Sequence, residues 1–298
     1  MEAADGNPQK KRRLEMPQMG FGTYKLGSAA TQTCVSLALN CGYRLIDCAQ
    51  IYNNEKEVGA AVRKSGIPRE EIFVISKVWR SKHGYDRTKT SCHQSLKNLG
   101  LEYIDLMLVH HPDCKRGWPL KRGETNPPDW QPGMRMETWR ALEDLRKEGL
   151  LHHIGVSNYS KRHLEELLLV CRVKPFVNQV ELHPLLQQGE LIDFCGANGI
   201  LVQAFASLGG GDMSAPLVQD VRIVDMAKRC GKTPAQVLLR WAWQKGFYII
   251  PKSSSEKRIT QNRQITDFSL SDADMAKLDS MDIGKRMTWQ GLDPDLVV

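Results

Sequence analysis

The sequence contains no long hydrophobic run, and none of its apolar stretches reaches the roughly 18 residues that a membrane helix needs. It also lacks a secretory segment at its start, because the chain opens with polar residues and reaches the basic stretch QKKRR at positions 9–13. We therefore expect a cytoplasmic protein with no membrane partner and with a flexible basic tail over residues 1–13. The alternative that QKKRR is a localisation signal stays open.

The spacing of the cysteines also gives no indication of disulfide pairs. The eight cysteines are scattered without a C-x-x-C spacing, which is typical of reduced, buried thiols in an intracellular chain. The formal charge of +7 is a mild excess that suits an anionic small ligand and does not require nucleic acid. These features predict no metal site, no nucleic-acid partner and a monomer that acts on a small molecule.

The chain alternates short apolar runs, rich in β-forming residues, with longer amphipathic segments. Helical periodicity marks residues 87–99, 135–150 and 162–171, while residues 14–27 predict a short hairpin broken by glycine and proline. The strand candidates are residues 43–47, 72–76, 104–109, 153–156, 176–180, 200–204 and 247–250, with a weaker eighth at 265–268. This alternation is typical of a parallel sheet buried on both faces.

Two parallel architectures compete, an open doubly wound sheet and a closed barrel. An open sheet that binds a dinucleotide would carry G-x-G-x-x-G after its first strand, and the stretch DCAQIYNNEKEVG has no such glycines. About eight strands without a domain break favour closure. The sequence therefore predicts the α/β class: a single-domain (β/α)8 TIM barrel over residues 14–298, with the N-terminal β-hairpin and with long βα loops over the active site.

Polar side chains stand at the carboxyl ends of seven predicted strands, and barrel enzymes place their active sites on that face. A buried lysine beside a tyrosine favours the phenolate, so Lys77 is expected to lower the pKa of Tyr52. Asp47 would keep Lys77 charged, and His110 would orient a substrate oxygen. Taken singly, each residue also has a structural interpretation, for example Asp47 as a turn cap and Tyr52 as part of the core.

At these residues the sequence resembles the aldo-keto reductase superfamily over about residues 14–284. The short C-terminus is similar to the microbial and protozoan prostaglandin F synthase and diketogluconate reductase branch. The matching stretches are GFGTYK (20–25), GYRLIDCAQIYNNEKEVG (42–59), ISKVW (75–79), LGLEYIDLMLVHHP (99–112), IGVSNYS (154–160), VNQVELHP (177–184) and IIPKSSSEKRITQN (249–262).

The resemblance implies a catalytic tetrad of Asp47, Tyr52, Lys77 and His110, with Tyr52 as the general acid, and NADPH as the cofactor. Ser157, Asn158 and Gln179 would hold the nicotinamide carboxamide, and Phe205 would stack on its ring. The implied cofactor-binding residues are Gly22, Thr23, Tyr24, Asp47, Ser157, Asn158, Gln179, Phe205, Ala206, Ser207, Leu208, Lys252, Ser253, Ser254, Arg258, Gln261 and Asn262.

The segment 252–262 also supports this assignment on physical grounds. A 2′-phosphate needs charge-assisted donors, which Lys252 and Arg258 supply, and it is stabilised at a helix N-terminus. The alternative is that SSSEKR only begins a helix. The sequence departs from the family pattern where His111, Tyr24 and Gln261 stand, and in the run Phe205–Ala206–Ser207–Leu208. These departures affect which substrate is expected and how many contacts hold the cofactor.

The predicted loop 112–133 contains five prolines and two tryptophans and leaves the strand that ends at His110, which favours a lid or a binding loop. Trp118 or Trp130 would shape the pocket, and the family resemblance implies Trp79 and Trp289 as further wall candidates. The predicted substrate-binding residues are Tyr24, Trp79, His110, His111 and Trp118. Aromatic walls suit carbonyl compounds with apolar bodies.

The sequence thus predicts an NADPH-dependent oxidoreductase of the aldehyde reductase type, which reduces aldehydes and ketones by hydride transfer. A second hypothesis is a regulatory barrel that binds NADPH with little turnover. A third is a barrel aldolase with Lys77 or Lys252 as a Schiff base, although it leaves Gln179 and Arg258 unexplained.

Overall fold

The computed structural model describes residues 15–113, 133–210, 216–288 and 294–297. Eight parallel strands follow one another in the order of the chain, and helices connect them. The basic tail over residues 1–13 and most of the loop 112–133 lie outside the described residues. No helix in the described ranges is long and apolar enough to cross a membrane.

The strands are β1 (Phe21–Gly22), β2 (Leu45–Asp47), β3 (Phe73–Val78), β4 (Ile104–Val109), β5 (Leu151–Ser157), β6 (Val177–Glu181), β7 (Leu201–Phe205) and β8 (Tyr248–Ile249). The helices are α1 (Ser28–Asn40), α2 (Glu55–Lys64), α3 (Tyr85–Leu99), α4 (Gly133–Lys147), α5 (Lys161–Leu168), α6 (Gly189–Ala197), α7 (Val221–Cys230), α8 (Pro234–Gln244), α9 (Glu256–Arg263) and α10 (Asp272–Asp279).

Hydrogen bonds join the first strand to the last. The Gly20 amide donates to the Ile249 carbonyl at 2.8 Å, and the Ile249 amide donates to the Gln18 carbonyl at 2.8 Å. On its other side, β1 pairs in parallel with β2 through Phe21 and Ile46. The sheet therefore closes on itself, which fits a (β/α)8 barrel.

Two sequence predictions about strands are wrong. Residues 15–27 form no antiparallel hairpin, because Phe21–Gly22 is taken up as the parallel strand β1. Residues 265–268 form no strand either. They follow α9, and the buried Ile265 packs in the main core. The eighth strand of the barrel is therefore the short run at the start of the domain rather than the run near its end.

A layer of apolar side chains, which we call the apolar floor, fills the interior of the barrel. Because side chains alternate along a strand, the residues that face inwards are two positions apart. The floor consists of Met16, Leu45, Phe73, Ile75, Leu106, Leu108 and Val177, with the larger core between the strands and the helices. Two positions beyond Leu45, Ile75, Leu108 and Val177 come Asp47, Lys77, His110 and Gln179. The predicted site thus lies on top of this floor.

Two of the helices show capping signals that the sequence carries. Thr233 caps α8 by accepting a hydrogen bond from the Gln236 amide at 3.2 Å, and Pro234 occupies the first turn, where no amide donor is needed. Gly100 ends α3 in the left-handed region, at φ 60°, which glycine adopts without the strain of a Cβ atom. These caps fix the lengths of the helices that pack around the strands.

Candidate active site

The four residues of the predicted tetrad meet at the carboxyl ends of β2, β3 and β4. Lys77 Nζ donates to Asp47 Oδ1 at 2.6 Å, to the Cys48 carbonyl at 3.0 Å and to the Tyr52 hydroxyl at 3.4 Å. Lys77 and Asp47 are both buried. Since an ammonium has three N–H donors, these three contacts satisfy its hydrogen-bonding capacity.

Tyr52 is carried by a short turn rather than by a strand. Residues Gln50–Tyr52 form a single 3-10 turn, which ends at Asn53 in the left-handed region. The Gln50 side chain fixes this turn, because it accepts a hydrogen bond from the Trp79 amide at 3.0 Å and donates to Ser95 Oγ at 3.0 Å. The phenol is therefore positioned from the neighbouring β3 and α3.

The pKa of Tyr52 moves against the expectation from the sequence. Burial raises the pKa of Tyr52 well above its ordinary value, and the Asp47 carboxylate raises it further. The Lys77 ammonium, 3.4 Å from the Tyr52 hydroxyl and paired with Asp47 at 2.6 Å, does not outweigh these two effects. Tyr52 is consequently a protonated hydroxyl at neutral pH, which is the form that a proton donor needs.

His110 faces Tyr52 across the site, with ring centroids 5.7 Å apart in an edge-to-face arrangement. Burial lowers the pKa of His110 well below its ordinary value, and the charges of Lys77 and Arg80 lower it further. His110 is therefore a neutral imidazole at neutral pH. In that form it is able to orient a polar oxygen without competing with Tyr52 as the acid.

The residues predicted to hold a carboxamide lie beside the tetrad, at the ends of β5 and β6. Asn158 Nδ2 donates to the His110 carbonyl at 2.9 Å and to Ser157 Oγ at 3.0 Å, while Ser157 Oγ donates to the Gln179 carbonyl at 2.8 Å. Asn158 adopts φ 62°, which turns its side chain towards these partners. Within the described part of the chain, the buried Asn158 Oδ1 accepts no hydrogen bond.

Gln203 belongs to the same network, although the sequence analysis did not single it out. Gln179 Nε2 donates to Asp47 Oδ2 at 2.8 Å and to Gln203 Oε1 at 2.6 Å. Gln203 is completely buried on β7, two positions before Phe205. The signal that it gave was a polar residue within the apolar strand LVQAF, on the same face as Phe205.

Residues 205–208, at the end of β7 and just after it, are the next group of predicted site residues. Phe205 and Leu208 are partly exposed, while Ser207 is buried. Ala206 adopts φ 53°, a left-handed conformation that costs an alanine roughly 1 kcal/mol. On the opposite side, the Thr23 hydroxyl donates to the Asp47 carbonyl at 2.9 Å. A Cβ atom on Gly22 would lie 2.8 Å from the Ile250 carbonyl oxygen, so only glycine fits there.

The predicted phosphate-binding residues gather at the N-terminus of α9. Arg258 Nε donates to Ser253 Oγ at 3.4 Å, and the Ser255 amide donates to the same oxygen at 3.1 Å. Ser253 and Asn262 are buried, Lys252 and Gln261 are partly exposed, and Ser254 and Arg258 are exposed. Among the described residues, neither Lys252 nor Arg258 forms an ion pair, so both charges are available to an anion.

The predicted substrate residues divide into two groups. Trp79 packs against His110 with ring centroids 5.1 Å apart, and Tyr24 packs against Tyr52 at 5.0 Å while remaining 48% exposed. His111 is fully buried instead, and its Nδ1 accepts a hydrogen bond from the Asp113 amide at 3.1 Å. The role of His111 in substrate binding stays a prediction. Trp118, Trp130 and Trp289 lie outside the described residues.

Comparison with known proteins gives one consistent family. A model of the aldo/keto reductase family matches residues 18–283. The chain is 42% identical over 283 residues to a 9,11-endoperoxide prostaglandin H2 reductase of Trypanosoma cruzi (strain CL Brener), which covers 95% of this chain and 92% of that relative. It is also 42% identical over 284 residues to a glyoxal reductase of Bacillus subtilis (strain 168), with 95% and 94% covered.

A solved structure agrees with these relatives. An aldo-keto reductase from a Medee basin deep-sea metagenome library is similar to this fold, with a TM-score of 0.82 and 39% sequence identity. The similarity covers 92% of this chain and 94% of that chain. The agreement therefore extends over the whole barrel rather than over a local motif.

Proposed function

The chain belongs to the aldo/keto reductase family, and on that premise we propose that it is an NADPH-dependent reductase of aldehydes and ketones in which Tyr52 donates the proton. The family consists of oxidoreductases that act on carbonyl groups. The observation that carries the proposal is the 3.4 Å contact between Lys77 Nζ and the Tyr52 hydroxyl at the mouth of the barrel.

A nicotinamide cofactor held by Ser157, Asn158 and Gln179 would supply the hydride for the carbonyl carbon. The Tyr52 hydroxyl donates its proton to the carbonyl oxygen as negative charge develops there. Lys77 stabilises the phenolate that remains, and its 2.6 Å hydrogen bond to Asp47 holds the ammonium in place. The neutral His110 ring orients the carbonyl oxygen towards Tyr52.

The amide network supports a carboxamide ligand. Asn158 Nδ2 and Gln179 Nε2 each spend both of their hydrogens on protein acceptors. The remaining polar atom of each side chain is its carbonyl oxygen, which can only accept hydrogen bonds. The NH2 group of a nicotinamide carboxamide is a donor that matches them.

The charge at α9 supports NADPH over NADH. A 2′-phosphate needs charge-assisted donors, and Lys252 and Arg258 offer them beside the Ser253 hydroxyl. The helix N-terminus adds backbone donors and a favourable dipole. NADH has no phosphate at this position and would gain none of these interactions.

The proposal is tested by mixing the purified protein with aldehydes and ketones and following cofactor oxidation. The panel contains glyoxal, because one relative is a glyoxal reductase, and each carbonyl is assayed with NADPH and with NADH. We expect oxidation of NADPH at lower cofactor concentrations than NADH. Tight NADPH binding without turnover on any carbonyl would instead support the regulatory barrel.

The aldolase alternative is not favoured for Lys77, because its three N–H groups are all engaged. A Schiff base requires a neutral amine with a free lone pair, whereas Asp47 stabilises the ammonium. Borohydride treatment with a keto substrate is therefore expected to trap no covalent adduct at Lys77, and the same treatment tests Lys252.

A further inference from the structure

A polar side chain that the proposed chemistry does not use lies inside the barrel on β7. Gln203 is completely buried, and the strand around it, LVQAF, is otherwise apolar. Because side chains alternate along a strand, Gln203 shares its face with Leu201, which packs on the apolar floor, and with Phe205. Burial of an amide in such surroundings is costly unless the amide is hydrogen-bonded, so the partners of Gln203 are informative.

Over the ranges that the structure describes, the Gln203 side chain has a single partner. Gln179 lies beside it in direct register on β6, and Gln179 Nε2 donates to Gln203 Oε1 at 2.6 Å. Gln203 Nε2 is buried and finds no acceptor anywhere in those ranges. Gln203 therefore contributes one acceptor to this network, and that acceptor serves Gln179.

The hydrogen bond to Gln203 completes the donor capacity of Gln179. An amide NH2 group has two hydrogens, and Gln179 Nε2 gives the other one to Asp47 Oδ2 at 2.8 Å. The two acceptors stand on different strands, β2 and β7, so together they fix the plane of the Gln179 amide. If position 203 accepted nothing, one N–H of Gln179 would be free to turn towards a ligand.

We propose that Gln203 is a positioning residue that selects the carboxamide of the cofactor: by binding the second hydrogen of Gln179, it makes Gln179 present an acceptor to the nicotinamide. The inference rests on the cofactor assignment of the proposed function, in which Asn158 and Gln179 accept hydrogen bonds from the carboxamide NH2. An acceptor at Gln179 favours a ring that carries an NH2 group over a ring whose side group has no donor. Gln203 acts through Gln179 and does not itself touch the cofactor.

The Nε2 atom of Gln203, which bonds to nothing in the ranges described above, separates this role from a structural one. An apolar side chain of the same length would leave one N–H of Gln179 without its acceptor. The same change would remove a buried donor that has no acceptor. Because these two effects are similar in size and opposite in sign, we expect little change in thermal stability. A glutamine that only stabilised the barrel would be costly to replace.

Three substitutions test the role. Gln203→Met keeps the length of the side chain and removes both polar atoms. Gln203→Glu is the rescuing variant, because a carboxyl group buried this close to Asp47 is expected to be protonated. It then offers a carbonyl acceptor and a hydroxyl donor, as the amide does. Gln18→Met is the matched control: Gln18 lies just ahead of β1 and donates to the carbonyls of Trp243 and Phe247 at 2.9 and 3.1 Å.

Calorimetry gives the dissociation constants of three ligands for each variant. NADP+ carries the carboxamide, its 3-acetylpyridine analogue has a methyl group in place of the NH2 donor, and 2′,5′-ADP lacks the nicotinamide. For Gln203→Met we expect the dissociation constant of NADP+ to rise about three- to tenfold, the range for one hydrogen bond. That of the analogue should change less than about twofold. All variants should bind 2′,5′-ADP alike, and Gln203→Glu should retain the wild-type preference for NADP+.

Thermal unfolding is followed on the same variants. Gln203→Met should unfold within about 4 °C of the wild type, whereas Gln18→Met should unfold at a lower temperature and keep the wild-type ligand preference. A failure of Gln203→Met to fold, or equal losses of affinity for NADP+ and its analogue, would show a structural role and overturn the inference. A wild type that binds NADP+ and the analogue equally well would overturn it too.

The outcomes separate the inference from the proposed function. An unchanged preference in Gln203→Met would refute the positioning role and leave the proposed reductase intact. A wild-type protein that shows the expected preference, loses it in Gln203→Met and yet reduces no carbonyl would refute the proposed function and support the positioning role. A wild-type protein that binds neither NADP+ nor 2′,5′-ADP would overturn both.

Discussion

Asp47 and Gln179 are joined by a hydrogen bond of 2.8 Å from Gln179 Nε2 to Asp47 Oδ2. The other oxygen of the same carboxylate accepts from Lys77 at 2.6 Å. One buried carboxylate therefore connects the residues proposed to donate the proton with the residues proposed to bind the carboxamide. Because the geometry of both groups depends on Asp47, a change on either side is expected to affect the other.

Replacement of Tyr52 by phenylalanine tests the proton donor. The variant keeps the ring that packs against Tyr24 and His110 and loses only the hydroxyl. We expect kcat to fall by about 10²–10⁴, the usual contribution of general acid catalysis. NADPH binding, followed by quenching of tryptophan fluorescence, should stay within about twofold of the wild type. Full turnover in Tyr52→Phe would remove this residue from the proposed mechanism.

Lys77→Met should lower stability as well as activity. The substitution leaves the Asp47 carboxylate buried without its cation, and breaking a buried pair in this way costs about 3–5 kcal/mol of the free energy of unfolding. Urea unfolding at neutral pH measures the loss. The control is Lys161→Met, which breaks a surface ion pair with Glu190, and its midpoint should barely move. Equal midpoints for the two variants would contradict the buried pair.

Arg258→Met should reduce the preference for NADPH. If Arg258 forms charge-assisted hydrogen bonds to the 2′-phosphate, their loss costs about 1.5–3 kcal/mol, so KM for NADPH should rise by roughly one to two orders of magnitude. KM for NADH should not change. Arg263→Met, at the other end of the same helix α9, is the control for effects on the helix. A parallel rise in KM for both cofactors would point to a structural role instead.

Stability should fall in mild acid because several histidines are buried in the neutral form. Burial lowers the pKa of His83 to about 3 and that of His163 to about 4, against about 6.5 in an unfolded chain. The unfolded state binds more protons between these values. The stabilisation is therefore complete above pH 6.5 or so and is lost as the pH falls towards 3, at up to ~1.4 kcal/mol per pH unit for each histidine.

Urea unfolding at a series of pH values measures this slope. We expect His83→Asn to reduce the slope by about one proton, whatever its effect on stability at neutral pH. His93→Asn changes an exposed histidine on α3 and is the control. An unchanged slope in His83→Asn would mean that His83 is not buried as the neutral imidazole.

Local sequence signals predicted the elements that have strong periodicity. The strand over residues 104–109 was predicted with its observed bounds, because IDLMLV is apolar throughout and buried on both faces. The predicted helix 87–99 begins two residues later than α3, since Gly84 and Tyr85 give no cap signal. The two-residue strand β1 was missed, because it is too short to show a period and exists only through its pairing with β2.

The sequence likewise predicted part of the candidate site and missed the rest. The sequence placed Asp47, Lys77 and His110 at strand ends, and alternation along each strand then directs them to the same interior. The sequence predicted the wrong direction for the pKa of Tyr52, because burial of the phenol in the folded barrel and the nearby Asp47 carboxylate both raise it. The sequence also predicted His111 as a pocket residue, but its burial and its hydrogen bond from the Asp113 amide arise only in the folded chain.

The sequence by itself determined the barrel and the identity of the residues on its rim, because strand periodicity and polar strand ends are local properties of the chain. Only the tertiary structure decided which of these residues form hydrogen bonds and ion pairs with one another. The links from Gln203 through Gln179 and Asp47 to Lys77 join residues that are far apart in sequence. Such contacts form when the barrel closes, and no local pattern encodes them.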